Sequence, residues 1–207
     1  MTFTIRSAVF PVLRVGAAAA LLAVGLANAQ LSSTALPQGP QLSAGQASVS
    51  TAGAVMNIQQ STGKAALNWQ SFNIGSQATV NITQPGASSV LLNRVTGADP
   101  SQILGSLQAN GQVFLVNPQG VMFGRNSRVN VGALVASSMD ISDADFMAGQ
   151  WRFNRGSSTA TVLNQGDIQA SLGGYVALLA PTVQNEGVVS AQRGRLAMAA
   201  GEAVTLS

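Results

Sequence analysis

The chain has 207 residues, enough for one domain with a sizeable core, and only 8% of them are charged. It contains no cysteine and no histidine. This excludes a fold held together by disulfides and removes the commonest acid–base catalyst and zinc ligand. The 10 basic and 7 acidic residues are scattered without a long basic run, so the composition provides no surface that follows a nucleic-acid backbone.

Residues 1–29 have the pattern of a secretory signal peptide. Arg6 and Arg14 give a positive start, an apolar run follows, and Ala27-Asn28-Ala29 fits a small-residue cleavage site. The apolar run is shorter than the ~20 residues that span a bilayer. We therefore expect export and cleavage after Ala29, with an uncleaved anchor as the alternative. Removing two of the 10 basic residues leaves 8 against 7 acidic ones, a net charge of +1.

The first part of the expected mature chain predicts a cap followed by short strands. Residues 30–50 are rich in turn formers and predict an extended N-terminal lead or cap. The first clear strand is predicted over 54–58, and Trp69 and Ile74 are the large apolar anchors of the next segment. In 78–83, apolar and polar residues alternate, which is the period of a half-buried strand.

The remainder of the chain carries a repeat of roughly 20 residues. Copies of the form Gly-x-apolar-x-Ala, one of them weaker, begin at Gly105, Ser127, Gly166 and Gly187, at intervals of 22, 39 (close to two units) and 21 residues. A second glycine opens the next strand of each unit, at Gly111, Gly132, Gly174 and Gly194. Self-similarity at this period, with no helical pattern inside the unit, is typical of a solenoid. For that reason we do not predict a helix at 99–104, although Asp99-Pro100 resembles the start of one.

Coil stacking explains the repeat physically, because a unit of two or three short strands cannot bury its apolar face alone. We expect coils about 4.8 Å apart. Their inward column is predicted to contain Leu107, Val129, Ile168 and Val189. Glycine and asparagine are expected at corners that need unusual backbone angles, and stacked asparagine side chains can pair along the axis. Unbroken apolar runs such as 113–116 predict deeply buried parallel strands. The sequence therefore predicts an all-β fold, a parallel β-helix.

Residues 137–161 break the repeat. We expect one coil carrying an excursion outside the helix, with Phe146, Trp151 and Phe153 packing back onto the core. The chain ends in a predicted strand at 204–206, directly after a good repeat. This predicts an open β-helix end, which either further chain or another cover must protect.

A tight turn joins two apolar strands at Asn117-Pro118-Gln119-Gly120-Val121. Pro118 suits the second position of the turn, and Gly120 can adopt a positive φ at little cost. An isolated turn of this kind is common in β proteins. Here the strand before it recurs downstream at a nearly constant interval, which makes the turn part of the repeat.

Jointly these segments resemble the two-partner secretion domain at the N-terminus of filamentous haemagglutinin and related exoproteins. The matching segments are 68–75, 92–97, 110–124, 131–137 and 173–181. The family signature Asn-Pro-Asn-Gly-Ile corresponds to residues 117–121, where the third residue is glutamine and the fifth valine. A second family motif, Asn-Pro-Asn-Leu, has no copy, and Asn93-Arg94-Val95 is a loose substitute.

The resemblance implies a right-handed β-helix that forms a secretion domain over residues 30–207. The chain would cross the inner membrane through the Sec machinery. An outer-membrane transporter of the Omp85 class would then recognise it in the periplasm, and the domain would fold at the cell surface without ATP. Contact with host or bacterial surfaces would belong to downstream sequence. The resemblance implies no catalytic role, no metal, no cofactor, no small-molecule substrate and no nucleic acid. The implied recognition residues are Asn117, Pro118, Gln119, Gly120 and Val121, with Asn93, Arg94, Arg125 and Arg128 as weaker candidates.

Other interpretations stay open at this stage. One alternative is that the turn at 117–121 is a folding corner, and another is that Arg125 and Arg128 are two solvated arginines at a coil corner. Asp140, Asp143 and Asp145 are interpreted as a solvated loop, with a calcium site as the alternative.

Two further functions remain alternatives. A self-contained surface adhesin would need a longer chain. A β-helix enzyme that cleaves polysaccharides would need clustered carboxylates. Asp167 and Glu186 are the nearest approach to a pair, but the repeat places Asp167 beside Val188 and Glu186 beside Gln165.

Overall fold

The computed structural model describes residues 30–206. The expected signal peptide and its cleavage after Ala29 lie outside the described residues. The described chain winds through short strands that stack into three sheets. Sheet I consists, in spatial order, of β1 (Gln41–Ala44), β4 (Lys64–Trp69), β6 (Val90–Val95), β9 (Gln112–Val116), β12 (Ala133–Ser137), β16 (Tyr175–Leu179) and β19 (Arg195–Ala199).

The other two sheets complete the coils. Sheet II is the narrow one, with β7 (Ser101–Ile103), β10 (Val121–Phe123), β14 (Thr161–Asn164) and β17 (Thr182–Asn185). Sheet III contains β2 (Ala47–Ala52), β3 (Val55–Gln60), β5 (Thr79–Thr83), β8 (Ser106–Ala109), β11 (Arg128–Val131), β15 (Asp167–Ala170) and β18 (Val188–Ala191). The segment at 99–104 contains β7, so the prediction that it does not form a helix is confirmed.

Parallel pairing between successive coils confirms the predicted β-helix. The four residues of the predicted inward column are register partners on β8, β11, β15 and β18: Leu107, Val129, Ile168 and Val189. At the N-terminal end the pairing changes, because β1 runs antiparallel to β4 and β2 antiparallel to β3. These two strands lie at the N-terminal ends of sheets I and III, and the predicted lead or cap at 30–50 includes β1 and the first part of β2.

The repeat glycines are required by contact between coils. A Cβ atom on Gly132 would lie 2.6 Å from the carbonyl oxygen of Gly111 in the coil before it. A Cβ atom on Gly174 would collide with the oxygen of Gly132, and one on Gly194 with that of Gly174. None of these glycines has a positive φ. The expectation that unusual backbone angles select them is therefore wrong, and lack of a side chain is the reason for glycine.

Corner asparagines pair along the axis as predicted, but no asparagine among residues 30–206 has a positive φ, so unusual backbone angles do not explain their positions. Asn164 donates from Nδ2 to Oδ1 of Asn185 in the next coil at 2.8 Å. Its own Oδ1 accepts from the backbone N–H of Gly166. The side chain therefore pairs along the axis of the solenoid and also closes the turn after β14.

Strands β4 to β16 of sheet I are largely buried on both faces, which explains their unbroken apolar runs. The buried apolar residues inside the solenoid form the inner core; on β9 these are Val113 and Leu115. A second cluster, the outer core, lies between the other face of sheet I and the excursion. It consists of Ala66, Val90, Leu92, Phe114, Val116, Val135, Met139, Ile141, Phe146, Phe153, Ala177 and Leu179.

The excursion contains one short helix and one strand, α1 (Asp143–Ala148) and β13 (Trp151–Asn154). Phe146 and Phe153 are fully buried and Trp151 packs against them, so the prediction that these three residues return to the core is confirmed. The helix itself is not predicted from the sequence. Within residues 30–206, no helix is long and apolar enough to cross a membrane.

The last described strand, β20 (Ala203–Leu206), pairs antiparallel with β13. The predicted strand at 204–206 is therefore confirmed, but it pairs with the excursion and not with a neighbouring coil. The open end of the described solenoid is instead formed by β17, β18 and β19, which are outermost in their sheets. Leu196 and Met198 align with the inward-facing Val176 and Leu178 and are about half exposed there.

Candidate functional site

The predicted turn at 117–121 is a corner between sheets I and II. The backbone N–H of Gly120 donates to the carbonyl oxygen of Asn117 at 2.8 Å, and Pro118 occupies the second position. Gly120 has a φ of +109°, and a Cβ atom on it would lie 2.9 Å from the carbonyl oxygen of Thr161. Glycine is thus required here both by the backbone angle and by the close contact with the next coil. The sequence predicts the positive φ angle but not the contact.

Asn117 is completely buried and joins this corner to the coil before it. Its Nδ2 donates to the carbonyl oxygen of Asp99 and to Oγ of Ser101, both at 3.0 Å. Its Oδ1 accepts from the backbone N–H of Gln119 at 2.9 Å. The polar atoms of the side chain are therefore used within the folded domain, and Gln119 is the exposed member of the turn.

The coil after the corner is the one that carries the excursion. The excursion leaves sheet I at Ser138 and returns at Ala160, and Ser138 Oγ donates to the carbonyl oxygen of Ala160 at 3.1 Å. On its return, Ser158 Oγ donates to the carbonyl oxygen of Pro118 at 2.7 Å. The signature turn and the excursion, which are separate features in the sequence, are thus neighbours in the fold.

The weaker candidates Asn93 and Arg94 point to opposite faces of β6. Asn93 lies in the interior of the solenoid, where its Oδ1 accepts from Nε1 of Trp69 at 3.1 Å. Arg94 lies on the outer face. Its Nε donates to Oδ1 of Asp140 at 2.9 Å and its Nη1 to Oδ1 of Asp143 at 2.5 Å.

These contacts, with Ile141 whose carbonyl oxygen accepts from Nη2 of Arg94, form the Arg94 clamp. Burial by itself lowers the pKa of Arg94, but the hydrogen bonds and charges of Asp143 and Asp140 outweigh it and raise that pKa above its ordinary value. The clamp ties strand β6 to the start of the excursion. Arg94 is the sequence signal for such a contact, because a single charge within an apolar strand needs a partner.

The clamp corrects the interpretation of the acidic cluster as a solvated loop. Asp140 and Asp143 bind Arg94, and Asp145 lies in the first turn of α1, where its backbone N–H donates to Oγ of the N-cap Ser142. Ser142 and the left-handed Gly149 are helix-start and helix-stop signals that sequence reasoning missed. Among residues 30–206, no three acidic side chains are grouped to hold a metal ion.

The remaining candidates lie on the surface. Arg125 and Arg128 are exposed, and Arg128 is in register with Asp167 on β15. The predicted stacking of Asp167 with Val188 is confirmed. Glu186 accepts a hydrogen bond from Gln165 at 2.8 Å, also as predicted.

Comparison with known proteins gives consistent matches. A family model described as the TPS secretion domain matches residues 33–207. The heme/hemopexin-binding protein of Haemophilus influenzae strain Rd is 37% identical over 174 residues, which cover 80% of this chain and 19% of that protein. A second heme/hemopexin-binding protein from Haemophilus influenzae is 38% identical over 111 residues, covering 54% of this chain and 12% of its own length.

A solved structure matches as well. The crystal structure of the HMW1 secretion domain from Haemophilus influenzae superimposes with a TM-score of 0.80 and 35% identity, covering 83% of this chain and 46% of that one. The chain spans less than a fifth of the length of the two curated relatives.

Proposed function

This chain belongs to the family of TPS secretion domains, and we propose that it carries the signal by which an outer-membrane transporter recognises an exported protein. Two-partner secretion pairs an exoprotein with such a transporter. In this proposal, the chain crosses the inner membrane through the Sec machinery and loses its signal peptide after Ala29. A transporter of the Omp85 class then binds it in the periplasm and releases it at the cell surface.

The main support for the proposal is the burial of Asn117 in the turn at residues 117–121, which we call the signature corner. Once the coils have closed, Asn117 has no accessible surface and its amide is fully engaged. A transporter that reads this side chain must therefore meet it before the surrounding coils form. The proposal places recognition of residues 117–121 on the unfolded or partly folded chain, and closure of the corner after export.

The same geometry suits progressive folding outside the cell. The stability of a solenoid is approximately a sum over neighbouring coils, so each coil that emerges can add free energy without ATP. Antiparallel β1 and β2 close the N-terminal end, which favours growth towards the C-terminus. The corner at Asn117 is complete only when Ser158 of the next coil arrives. We propose that this corner nucleates the coils that follow it.

The decisive experiment compares export of Asn117→Ala and Asn164→Ala, with and without the cognate transporter. Asn164 is the matched control, since it is equally buried, ends a neighbouring strand and makes comparable hydrogen bonds. Each substitution leaves buried groups unpaired and is expected to cost about 1–3 kcal/mol. We expect wild type and Asn164→Ala to reach the medium only when the transporter is present, and Asn117→Ala to remain in the periplasm.

The possible outcomes separate the parts of the proposal. Equal loss of export in both variants would make the corner a folding element without a role in recognition. Export without any transporter would contradict the proposed function itself. Loss of export on replacing the exposed Arg125 and Arg128, with normal export of Asn117→Ala, would indicate that the transporter reads the folded surface.

Activity of the whole exoprotein would lie beyond this domain. Because the chain spans so little of the curated relatives, we propose that adhesion or another effector activity resides in downstream sequence. The names of those relatives include heme binding, but this chain contains neither histidine nor cysteine, two common haem ligands. Heme binding is therefore not proposed for this domain.

A further inference from the structure

A groove of about 500 Å³ runs along the outer face of sheet I, beside the outer core. Its floor is formed by the first outward-facing position of β4, β6, β9, β16 and β19: Lys64, Val90, Gln112, Tyr175 and Arg195. The residue at this position of the intervening β12, Ala133, is buried. Its wall is Trp151 of β13 with Leu206 of β20. The groove therefore crosses the strands and follows the axis of the solenoid.

The groove is long, narrow and mostly apolar. The strands from β4 to β19 are separated by five spacings of ~4.8 Å, so the floor is about 24 Å long. Valine, alanine and leucine side chains and the Trp151 ring line most of it. The floor strands β4 to β16 are each paired on both sides. An extended peptide would thus find no free backbone groups on these strands, whereas a hydrocarbon chain needs none.

Both ends of the groove are positively charged. Lys64 lies at one end, where its Nζ donates to the carbonyl oxygen of Met147 at 2.9 Å and lies 5.4 Å from the centroid of the Trp151 ring. Arg195 lies at the other end and is exposed. No acidic residue lines the groove in the described part of the chain. Burial raises the pKa of Tyr175 to about 12, so its phenol stays neutral and donates to Oε1 of Gln112 at 2.7 Å.

We propose that this groove binds one fatty acid. The hydrocarbon lies along Val90, Ala177 and Trp151, and the carboxylate pairs with the guanidinium of Arg195, whose fork of donors suits a carboxylate. The floor is long enough for the extended hydrocarbon of such a molecule. Strands β13 and β20 wall the groove on one side, which suits a single acyl chain better than a bilayer surface. The proposal is independent of the secretion function.

The test is calorimetric titration of the folded chain with laurate and, as the neutral match, lauryl alcohol. We expect saturable binding of a single laurate and much weaker binding of the alcohol. Arg195→Glu should weaken laurate binding by at least about tenfold, because it replaces the attractive charge with a repulsive one. Arg195→Lys should keep most of the affinity. Arg152→Glu is the matched control, since strand alternation points this exposed arginine away from the face of Trp151.

Fluorescence locates the ligand. Trp69 is buried in the inner core, so laurate should change the emission of Trp151 only, and Trp151→Phe should remove the change. Equal binding of laurate and lauryl alcohol would overturn the proposal, as would unchanged binding by Arg195→Glu. Binding seen only with phosphatidylglycerol vesicles would replace it with a membrane surface. No transporter takes part in these measurements, so their failure leaves the proposed secretion function untouched.

Discussion

The inner core and the outer core lie on opposite faces of the same sheet but are assembled in different ways. On β9, Val113 and Leu115 point inward to equivalent residues of neighbouring coils, whereas Phe114 points outward to the excursion. The inner core thus arises from one unit repeated along the chain. The outer core needs a non-repeating segment, residues 139–153, together with β20. The difference predicts that the two cores lose their structure separately.

The strongest test of that separation uses adjacent residues of β9. Phe114 packs against Phe146 and Trp151, with ring centroids 5.9 and 5.0 Å apart, so Phe114→Ala should cost about 3–5 kcal/mol. We expect most of the lost stability to come from the excursion. It should detach from sheet I and be cleaved by proteases between residues 138 and 161 while the coils remain folded. Leu115→Ala should cost about 2–5 kcal/mol and lower the stability of the coils themselves.

Limited proteolysis with mass spectrometry, alongside urea unfolding followed by circular dichroism, distinguishes the two variants. Cleavage at the same sites in both, together with a single shared unfolding transition, would contradict the separation. It would mean that the excursion and the coils form one cooperative unit.

A smaller effect is expected from breaking the Arg94 clamp alone. Arg94→Met keeps the buried stem and removes the charge-assisted hydrogen bonds to Asp140 and Asp143. The expected loss is about 1.5–3 kcal/mol, confined to the excursion. Arg155→Met is the control, because its pair with the exposed Glu202 is a surface ion pair worth about 0–1 kcal/mol.

Hydrogen exchange of the backbone amides tests this prediction residue by residue. Faster exchange at β13 and α1 in Arg94→Met, with unchanged exchange in sheet III, would support a local tie. Equal effects of the two arginine substitutions would show that the clamp is no stronger than an ordinary surface pair.

The comparison also explains what the sequence predicts well and what it does not. Leu107, Val129, Ile168 and Val189 recur at a fixed interval, so the inner column follows from counting residues. The Arg94 clamp joins residues 46 to 49 positions apart that share no pattern, and the sequence alone predicts solvated carboxylates there.

The signature corner shows the same limit at a smaller scale. Pro118 and Gly120 predict the turn, because proline restricts the φ angle and glycine permits a positive one. Nothing local indicates that Asn117 is buried against Asp99 or that Ser158 covers Pro118. Those contacts depend on how coils stack, including the coil interrupted by the excursion.

The smallest expected effect is a dependence of stability on pH, which arises from a residue on the outer face of sheet I. Tyr175 packs against the outer core, and burial raises its pKa to about 12 from an ordinary value of 10.0. The unfolded phenol therefore ionises first as the pH rises. Stability contributed by the neutral phenol is present below about pH 10 and is lost between pH 10 and 12, by less than about 2.7 kcal/mol.

Comparing wild type with Tyr175→Phe isolates this contribution from the other groups that titrate at alkaline pH. The variant loses the hydrogen bond to Gln112 and starts less stable, but the difference between the two proteins should shrink as the pH rises from about 10 to 12. Within the described chain, no ionisable side chain is buried in the inner core. The pH-dependent difference in stability between the two proteins should therefore appear in the unfolding transition that exposes Trp151. A constant difference across that range would mean that the phenol of Tyr175 titrates like an exposed one.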